Sequence, residues 1–347
     1  MHTNLHSHPR TVQLYLQDAS VNPKLGECHF YRVWKADCKK IKITKANSDF
    51  ARCDPCTKID DMRKKAQNRV DEELAEKEYD KHFDVFMSQK QAYYERIAQA
   101  MRDPRILSIV LDIMDQKKTG SPYDKRLSKS ASGKPVKQKV IGVKVHGRKN
   151  YLFTALESVR KGGNNSASVL HLVLDDLAKT SPGLPIGDGT LYVLGDNASD
   201  NKCVTLLVYL AWLVRTRRFR KVQLNFLMVG HTHEDIDRMF QLISTFIKPK
   251  AMHTFSEFEK LALQALANIG CPTEVRHLPC QFDVDAWFEE HKDPHLACFK
   301  NFHEFVFEFD EAQNDAVMQY KLWNGDEGYV HPPGQPEAGK VTGPPCV

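Results

Sequence analysis

Apolar and polar residues follow two rhythms along this chain, and the change of rhythm divides it. Residues 57–103 contain no Gly or Pro, and apolar side chains recur there at helical spacing. They run through Ile59, Met62, Ala66, Val70 and Leu74, then Phe83, Met87, Tyr94, Ile97 and Met101. The pattern predicts one long helix or two stacked ones, up to about 70 Å if unbroken, ended by Pro104. Its mixed charges suit a spacer or a pairing helix. From ILSIVLDIM (106–114) onward the rhythm is that of a sheet protein. VKQKVIGVKVHG (136–147) and NYLFTALESVR (150–160) read as two further strands. A helix at 166–180, a strand at 190–197, a helix at 201–219, a strand at 221–231 and a helix at 234–248 follow. The order β-β-β-α-β-α-β-α predicts a mixed sheet with helices on both faces. Beyond it, TFSEFEKLALQALANIG reads as a helix, and 303–323 as a hairpin turning in EAQN.

This gives five parts: an N-terminal segment bearing cysteines (1–58), a helical arm (59–103), an α/β domain (104–250), a small α+β extension (251–323) and a tail rich in Gly and Pro (324–347) expected to be disordered. At 347 residues the chain can bury one large core or two modest ones. The longest apolar stretch, VTLLVYLAWLV, is too short to span a bilayer and is followed by arginines. With no apolar leader at MHTNLHSHPR and nine scattered cysteines, a soluble protein of a reducing compartment is expected, nuclear or alternatively cytoplasmic.

The net charge of +5 says little, but its distribution says more. Residues 116–150 hold eleven Lys and Arg against a single acid, Asp124, and RTRRFRK adds five basic groups. Lys137, Lys139, Lys144, Arg148 and Lys149 in the first cluster, and Arg215, Arg217, Arg218, Arg220 and Lys221 in the second, are the candidate contacts to a polyanion, with DNA the expected partner.

Candidate chemistry lies at the strand ends. Asp112 follows SIVL, Asp196 follows LYVLG, and HTHEDID follows LNFLMVG. Carboxylates converging outside neighbouring strands repel one another and raise their pKa values, and a divalent cation offsets that repulsion. Hard oxygen donors suit Mg²⁺ or Mn²⁺, and two such ions about 4 Å apart can activate a nucleophile and stabilise the leaving oxygen of a phosphodiester. Each acid also has a plain structural role open to it: a strand end at Asp112, a helix cap near Asp196, a dipole complement at Glu234, Asp235 and Asp237.

Acid on the first strand, acid on the fourth and acid on the helix after the fifth resembles the ribonuclease H-like nucleases and the DDE/D transposases and integrases. GDNASDNK (195–202) and FLMVGHTHEDIDRMF (226–240) further resemble segments of a transposon-derived eukaryotic family, described largely as a domain of unknown function, with DNxxxxNKN-like and GHTHEDIDxxF motifs. FYRVW, ARCDPC and the 303–323 hairpin look like its flanking segments. The resemblance implies a ribonuclease H-like mixed sheet flanked by helices and a transposase-like activity on DNA. It makes Asp112, Asp196 and Asp237 ligands of two Mg²⁺ or Mn²⁺ ions, with Asp235 the alternative third ligand and His231 a proton-transfer histidine. His233 would orient a carboxylate. The spacing from DN to NK is one residue shorter here, and Cys203 stands where the family motif ends in Asn. Transposases often pair, and the arm offers a surface for a homo-oligomer.

Two other readings stand beside this one. HTHED also resembles the HxHxDH zinc motif of metallo-β-lactamase-fold hydrolases, making His231, His233 and Asp235 ligands, although Ile236 replaces the last histidine. A domesticated transposase remnant that binds DNA or protein without catalysis fits as well. Separately, Cys53 and Cys56 have the CxxC spacing of a structural zinc knuckle that Cys28 and Cys38 could complete, with His29 in reserve. Cys271, His277 and Cys280 form a weaker candidate set.

Overall fold

Residues 53–124, 126, 135–180, 187–232, 234–291, 299–323, 326 and 339–340 are described by the structure, a computed structural model. All fall in one compact unit, Arg52–Val347. The N-terminal segment with FYRVW, Cys28, His29 and Cys38, together with His233 and nearly all of the tail, lies outside the described residues.

The helical region is two helices: α1 (Asp54–Lys65) and α2 (Arg69–Arg102). They part at Asn68, whose extended backbone lets its side chain accept from the Asp71 amide and cap α2. The apolar stripe read from the sequence is not the face that docks. Val70, Leu74, Met87, Tyr94 and Met101 are exposed, whereas Ala75, His82, Gln89, Ala92, Tyr93 and Ala100 are buried. Small side chains let α2 lie close to the core, and polar ones meet partners there, so burial on this helix follows specific contacts rather than hydrophobicity.

The sheet strands are β1 (Ile106–Ile113), β2 (Gln138–Val145), β3 (Lys149–Leu156), β4 (Thr190–Gly195), β5 (Lys221–Phe226), β6 (Thr273–His277), β7 (Glu304–Asp310), β8 (Asp315–Lys321) and β9 (Gly339–Lys340). Their order is β6-β3-β2-β1-β4-β5-β7-β8-β9. β1, β2 and β3 form an antiparallel meander, while β4 and β5 run parallel to β1. The crossovers are α3 (Gly163–Thr180) and α4 (Val204–Arg215); α5 (Asp235–Ile247) and α6 (Phe255–Leu266) follow β5, and a short helix, α7 (Val284–Trp287), follows β6.

Strand alternation sorts the core into two layers. Leu107, Ile109 and Leu111 of β1 point toward α3 and α4, with Leu191 and Val193 of β4. Because α4 is apolar almost all round, it is buried on nearly every side. On the opposite face Val110, Val140, Leu152 and Leu194 meet α5 and α6. There α5 presents Ile236, Met239, Phe240, Ile243 and Ile247 at helical spacing. The segment 251–323 does not stand apart as a separate extension. β6 pairs with β3 at one edge, and the β7–β8 hairpin, turning at Glu311–Asn314 within EAQN, pairs with β5 at the other. No described helix is long and apolar enough to cross a membrane.

Candidate functional site

β1 and β4 end side by side. Their parallel register runs to Val110↔Leu194, and carried two residues further it sets Asp112 beside Asp196. Both continue the alternation of Val110 and Leu194, so both belong to the face covered by α5. Gly142 is paired with Asp112 across β2, and a Cβ there would lie 2.7 Å from Phe240 Cε1 and 2.8 Å from Met239 Cε. The missing side chain lets α5 settle onto the sheet next to Asp112. This brings Asp237, in the first turn of α5, into the same electrostatic neighbourhood.

The charges register that proximity. Burial, then the charges of Asp196 and Asp237, push the Asp112 carboxyl up to about 7, against the Ile113 amide that donates to it at 2.7 Å. Burial raises Asp196 as well, with Asp200 and Asp237 adding to it. Asp237 Oδ2 accepts from the Glu234 amide at 3.0 Å, the return bond of a capping box at the start of α5. One oxygen of Asp237 therefore caps the helix, while its charge acts on the other two aspartates.

The segment after β4 holds Asp196 in place. Asn201 Nδ2 donates to Asp196 Oδ1 at 2.6 Å, and Ser166 Oγ on α3 donates to Asn201 Oδ1. Asn197 Nδ2 donates to the Leu227 carbonyl, tying the end of β4 to the chain leaving β5. Lys202, buried over the Phe226 ring, donates to Asn197 Oδ1, and desolvation lowers it to about 8. The two Asn residues and Lys202 of DNASDNK thus support Asp196. Sequence reading missed Asn201 and Lys202 as site residues, although the motif contained them. Cys203 N-caps α4 without a side-chain cap bond.

In the HTHEDID stretch Glu234, Asp235 and His231 each have their own partners. Tyr93 and Tyr94 of α2 donate to Asp235 Oδ1 (2.8 Å) and Glu234 Oε2 (2.9 Å). Lys90 pairs with Glu234, and Gln89 Oε1 accepts from the Met228 amide. Asp235 Oδ2 also meets Lys144 Nζ at 2.6 Å and His146 Nε2 at 3.1 Å. Burial opposes ionisation of Asp235, but His146 and Lys144 hold it well below the usual carboxylate range. Its charge is met by these two groups. Among the described residues, no Lys, Arg or His is paired with Asp237 in this way.

His231 departs furthest from expectation. Its Nε2 lies 3.4 Å from Cys56 Sγ and 3.2 Å from His82 Nε2, and its ring stacks on Phe86 at 4.0 Å. His82 Nε2 in turn is 3.2 Å from both Cys53 Sγ and Cys56 Sγ. The ligand atoms of Cys53, Cys56, His82 and His231 all lie within 4.8 Å of one another, and no other trio or larger group among the described residues does so. His231 thus faces Cys56 and His82. Of the hydrolase set, His231 and Asp235 have different partners, and His233 lies outside the described residues. Cys271, His277 and Cys280 are not brought together. His82 was not anticipated; the one signal for it is its position seven residues from both Ala75 and Gln89, on the buried face of α2.

The basic clusters separate. Lys118 and Lys137 are exposed at the end of the sheet where β1 finishes and β2 begins. Lys139 is buried and donates to the Val159 carbonyl. Lys144 pairs with Asp235; Lys149 pairs with Asp176 and Glu274, and Arg148 donates to the Pro104 carbonyl. The second cluster sits at the opposite end, before and at the start of β5. Its members are ion-paired: Arg215 with Asp315, Arg217 with Glu311, Arg218 with Asp175, Arg220 with Asp188 and Lys221 with Glu308. RTRRFRK, the second candidate polyanion contact, therefore lies away from the acids, because β5 runs from that cluster toward the acidic end.

A family described as Domain of unknown function (DUF7869) matches residues 128–326, more than half of the chain. No curated protein is significantly similar to it. Among solved structures, the "Crystal structure of the Mos1 Strand Transfer Complex" is similar at 11% identity over 75% of this chain and 84% of that one, with a TM-score of 0.31. The "Crystal structure of a pre-cleavage Mos1 transpososome" is similar at 10% identity over 76% and 92%, with a TM-score of 0.25. At such scores the likeness carries no residue correspondence.

Proposed function

The chain belongs to the DUF7869 family of domains of unknown function, and we propose that this member is a ribonuclease H-like, transposase-type protein that cleaves or joins DNA phosphodiesters with two Mg²⁺ or Mn²⁺ ions. The observation that carries the reading is the shared position of Asp112 and Asp196 at the ends of adjacent parallel strands, with Asp237 acting on Asp112 from α5. The order β3-β2-β1-β4-β5, with β2 alone antiparallel within it, supports the fold assignment.

The donor set fits hard divalent ions. All three side chains offer carboxylate oxygens; burial first, then neighbouring carboxylate charges, raise Asp112 and Asp196, and a cation offsets both penalties on the charged form. Asp112, Asp196 and Asp237 would together hold the ions. When bound, the ions supply Lewis acidity and an activated nucleophile. Asn201 fixes the Asp196 carboxylate, and Lys118 and Lys137 offer positive charge to a phosphate backbone on that side.

Nicking or strand transfer on supercoiled DNA, with Mg²⁺ or Mn²⁺, compares wild type with Asp196→Ala. Activity is expected only in wild type. Equal activity in both proteins sinks the catalytic reading, and inactivity in both, with DNA still bound, favours the remnant that binds without catalysis.

A further inference from the structure

We propose that Cys53, Cys56, His82 and His231 form a closed structural Zn²⁺ site that staples the helical arm to the loop between β5 and α5. This inference does not depend on the nuclease reading.

Geometry carries it first. A tetrahedral zinc ion with Zn–N of about 2.0–2.1 Å and Zn–S of about 2.3 Å sets neighbouring ligand atoms roughly 3.3–3.8 Å apart. The measured separations are 3.2 Å from His82 Nε2 to each sulfur, 3.4 Å from Cys56 Sγ to His231 Nε2, and 3.2 Å between the two imidazole nitrogens. Hydrogen bonding cannot account for this convergence. His82 Nε2 offers either one proton or one lone pair, yet three heteroatoms crowd it. A cation at the centre gives all four atoms the same task. Two thiolates and two imidazoles are borderline-soft donors that suit Zn²⁺, and a full set of four protein ligands leaves no open position for chemistry.

The surroundings are shaped for the contact. Gly230 precedes His231 at φ +86°, and a Cβ there would meet the Cys53 amide nitrogen at 2.5 Å and its Cα at 2.8 Å. The glycine therefore serves both the left-handed turn and the close approach of α1 to the loop. Cys53 stands just before α1, with Cys56 in its first turn, so the CxxC pair is presented on one helix end. Phe86, one turn beyond His82 on α2, stacks flat on His231 and fixes its ring plane. The ion would link α1, α2 and the β5–α5 loop, with His82 and His231 149 positions apart. That loop leads into Asp237, so the staple would also set where the third carboxylate stands.

The test is metal analysis of the full chain purified without chelator. Atomic emission should find about one equivalent of zinc, and Co²⁺ exchanged into the site should give tetrahedral d–d bands with thiolate charge transfer. His82→Ala and His231→Ala should each lower zinc content at least about five-fold, whereas Cys28→Ser/Cys38→Ser and Asp196→Ala should keep it. Less than about a tenth of an equivalent in wild type overturns the proposal, as does an octahedral cobalt spectrum. So does zinc that survives His231→Ala but is lost with Cys28 and Cys38. The cobalt spectrum is read on wild type, so a variant that fails to fold does not obscure the answer. Asp196→Ala that keeps zinc while cleaving nothing separates this site from the acidic one.

Discussion

The Nε2 atoms of His82 and His231 lie 3.2 Å apart although 149 positions separate them in the chain. One belongs to the arm and the other to the loop that introduces α5. Around them Gln89, Lys90, Tyr93 and Tyr94 of α2 grip Met228, Glu234 and Asp235. Much of the polar density in GHTHEDID is thus accounted for by docking of the arm.

The close approach at Gly230 can be tested without metal chemistry. Gly230→Ala forces a Cβ against the Cys53 backbone and strains a positive φ. A loss of about 2–4 kcal/mol is expected in urea denaturation, with earlier proteolysis of α1. An unchanged midpoint would mean that Cys53 does not lie against the loop.

Asp112 should make the protein less stable as pH rises. Its carboxyl is raised from 3.8 to about 7 in the folded chain, so the native state binds the extra proton between those values. Stability is then greatest below about pH 4 for this group and falls through pH 7, by an amount on the order of 4 kcal/mol. Asp112→Asn should remove this slope and stabilise the protein at pH 8 in buffer stripped of divalent ions. Urea midpoints from pH 5 to 8 for both proteins decide it.

Asp235 should behave in the opposite sense. Its carboxyl is depressed by His146 and Lys144, so its contribution is present above about pH 4 and is lost as acid protonates it. Asp235→Asn leaves Lys144 without its partner, and a cost of about 2–4 kcal/mol at pH 7 is expected. If Asp235→Asn instead keeps full stability and abolishes cleavage, Asp235 is a ligand after all.

DNA affinity should depend on one end of the sheet. Lys118→Ala/Lys137→Ala should weaken binding and reduce the slope of log K against log salt by about 2. Arg217→Ala/Arg220→Ala should leave that slope nearly unchanged, since both arginines are ion-paired at the far end. The reverse result would move the DNA path to the β5 start.

Cys203 offers a stabilising change. It N-caps α4 with φ −144° and ψ 156° but accepts no capping bond through its side chain. Cys203→Ser is close in size and supplies the missing acceptor. A gain of about 0.5–1 kcal/mol in thermal or urea unfolding is expected.

Local pattern was enough for much of the architecture. Strand alternation and helical spacing located β1 to β5 and the helices between them, because each element must bury one face and the period of its apolar residues records which. The turn at EAQN was legible for the same reason, as a polar break between two apolar runs. The CxxC pair could be read as a half-site from spacing alone. What the sequence could not decide was which distant residues complete it, or which way the arm faces. His82 and His231 meet only because α2 packs its small and polar face on the core, and that choice depends on partners supplied from His146 in the β2–β3 turn, Glu304 of β7 and the β5–α5 loop. Asp237 and Asp235 flank the buried stripe of α5 almost symmetrically in sequence. Only the packed structure separates them, by setting Lys144 and His146 against one and leaving the other beside Asp112. Short-range periodicity is written locally, whereas the balance of charge at a site depends on contacts between segments far apart in the chain, which only folding brings together.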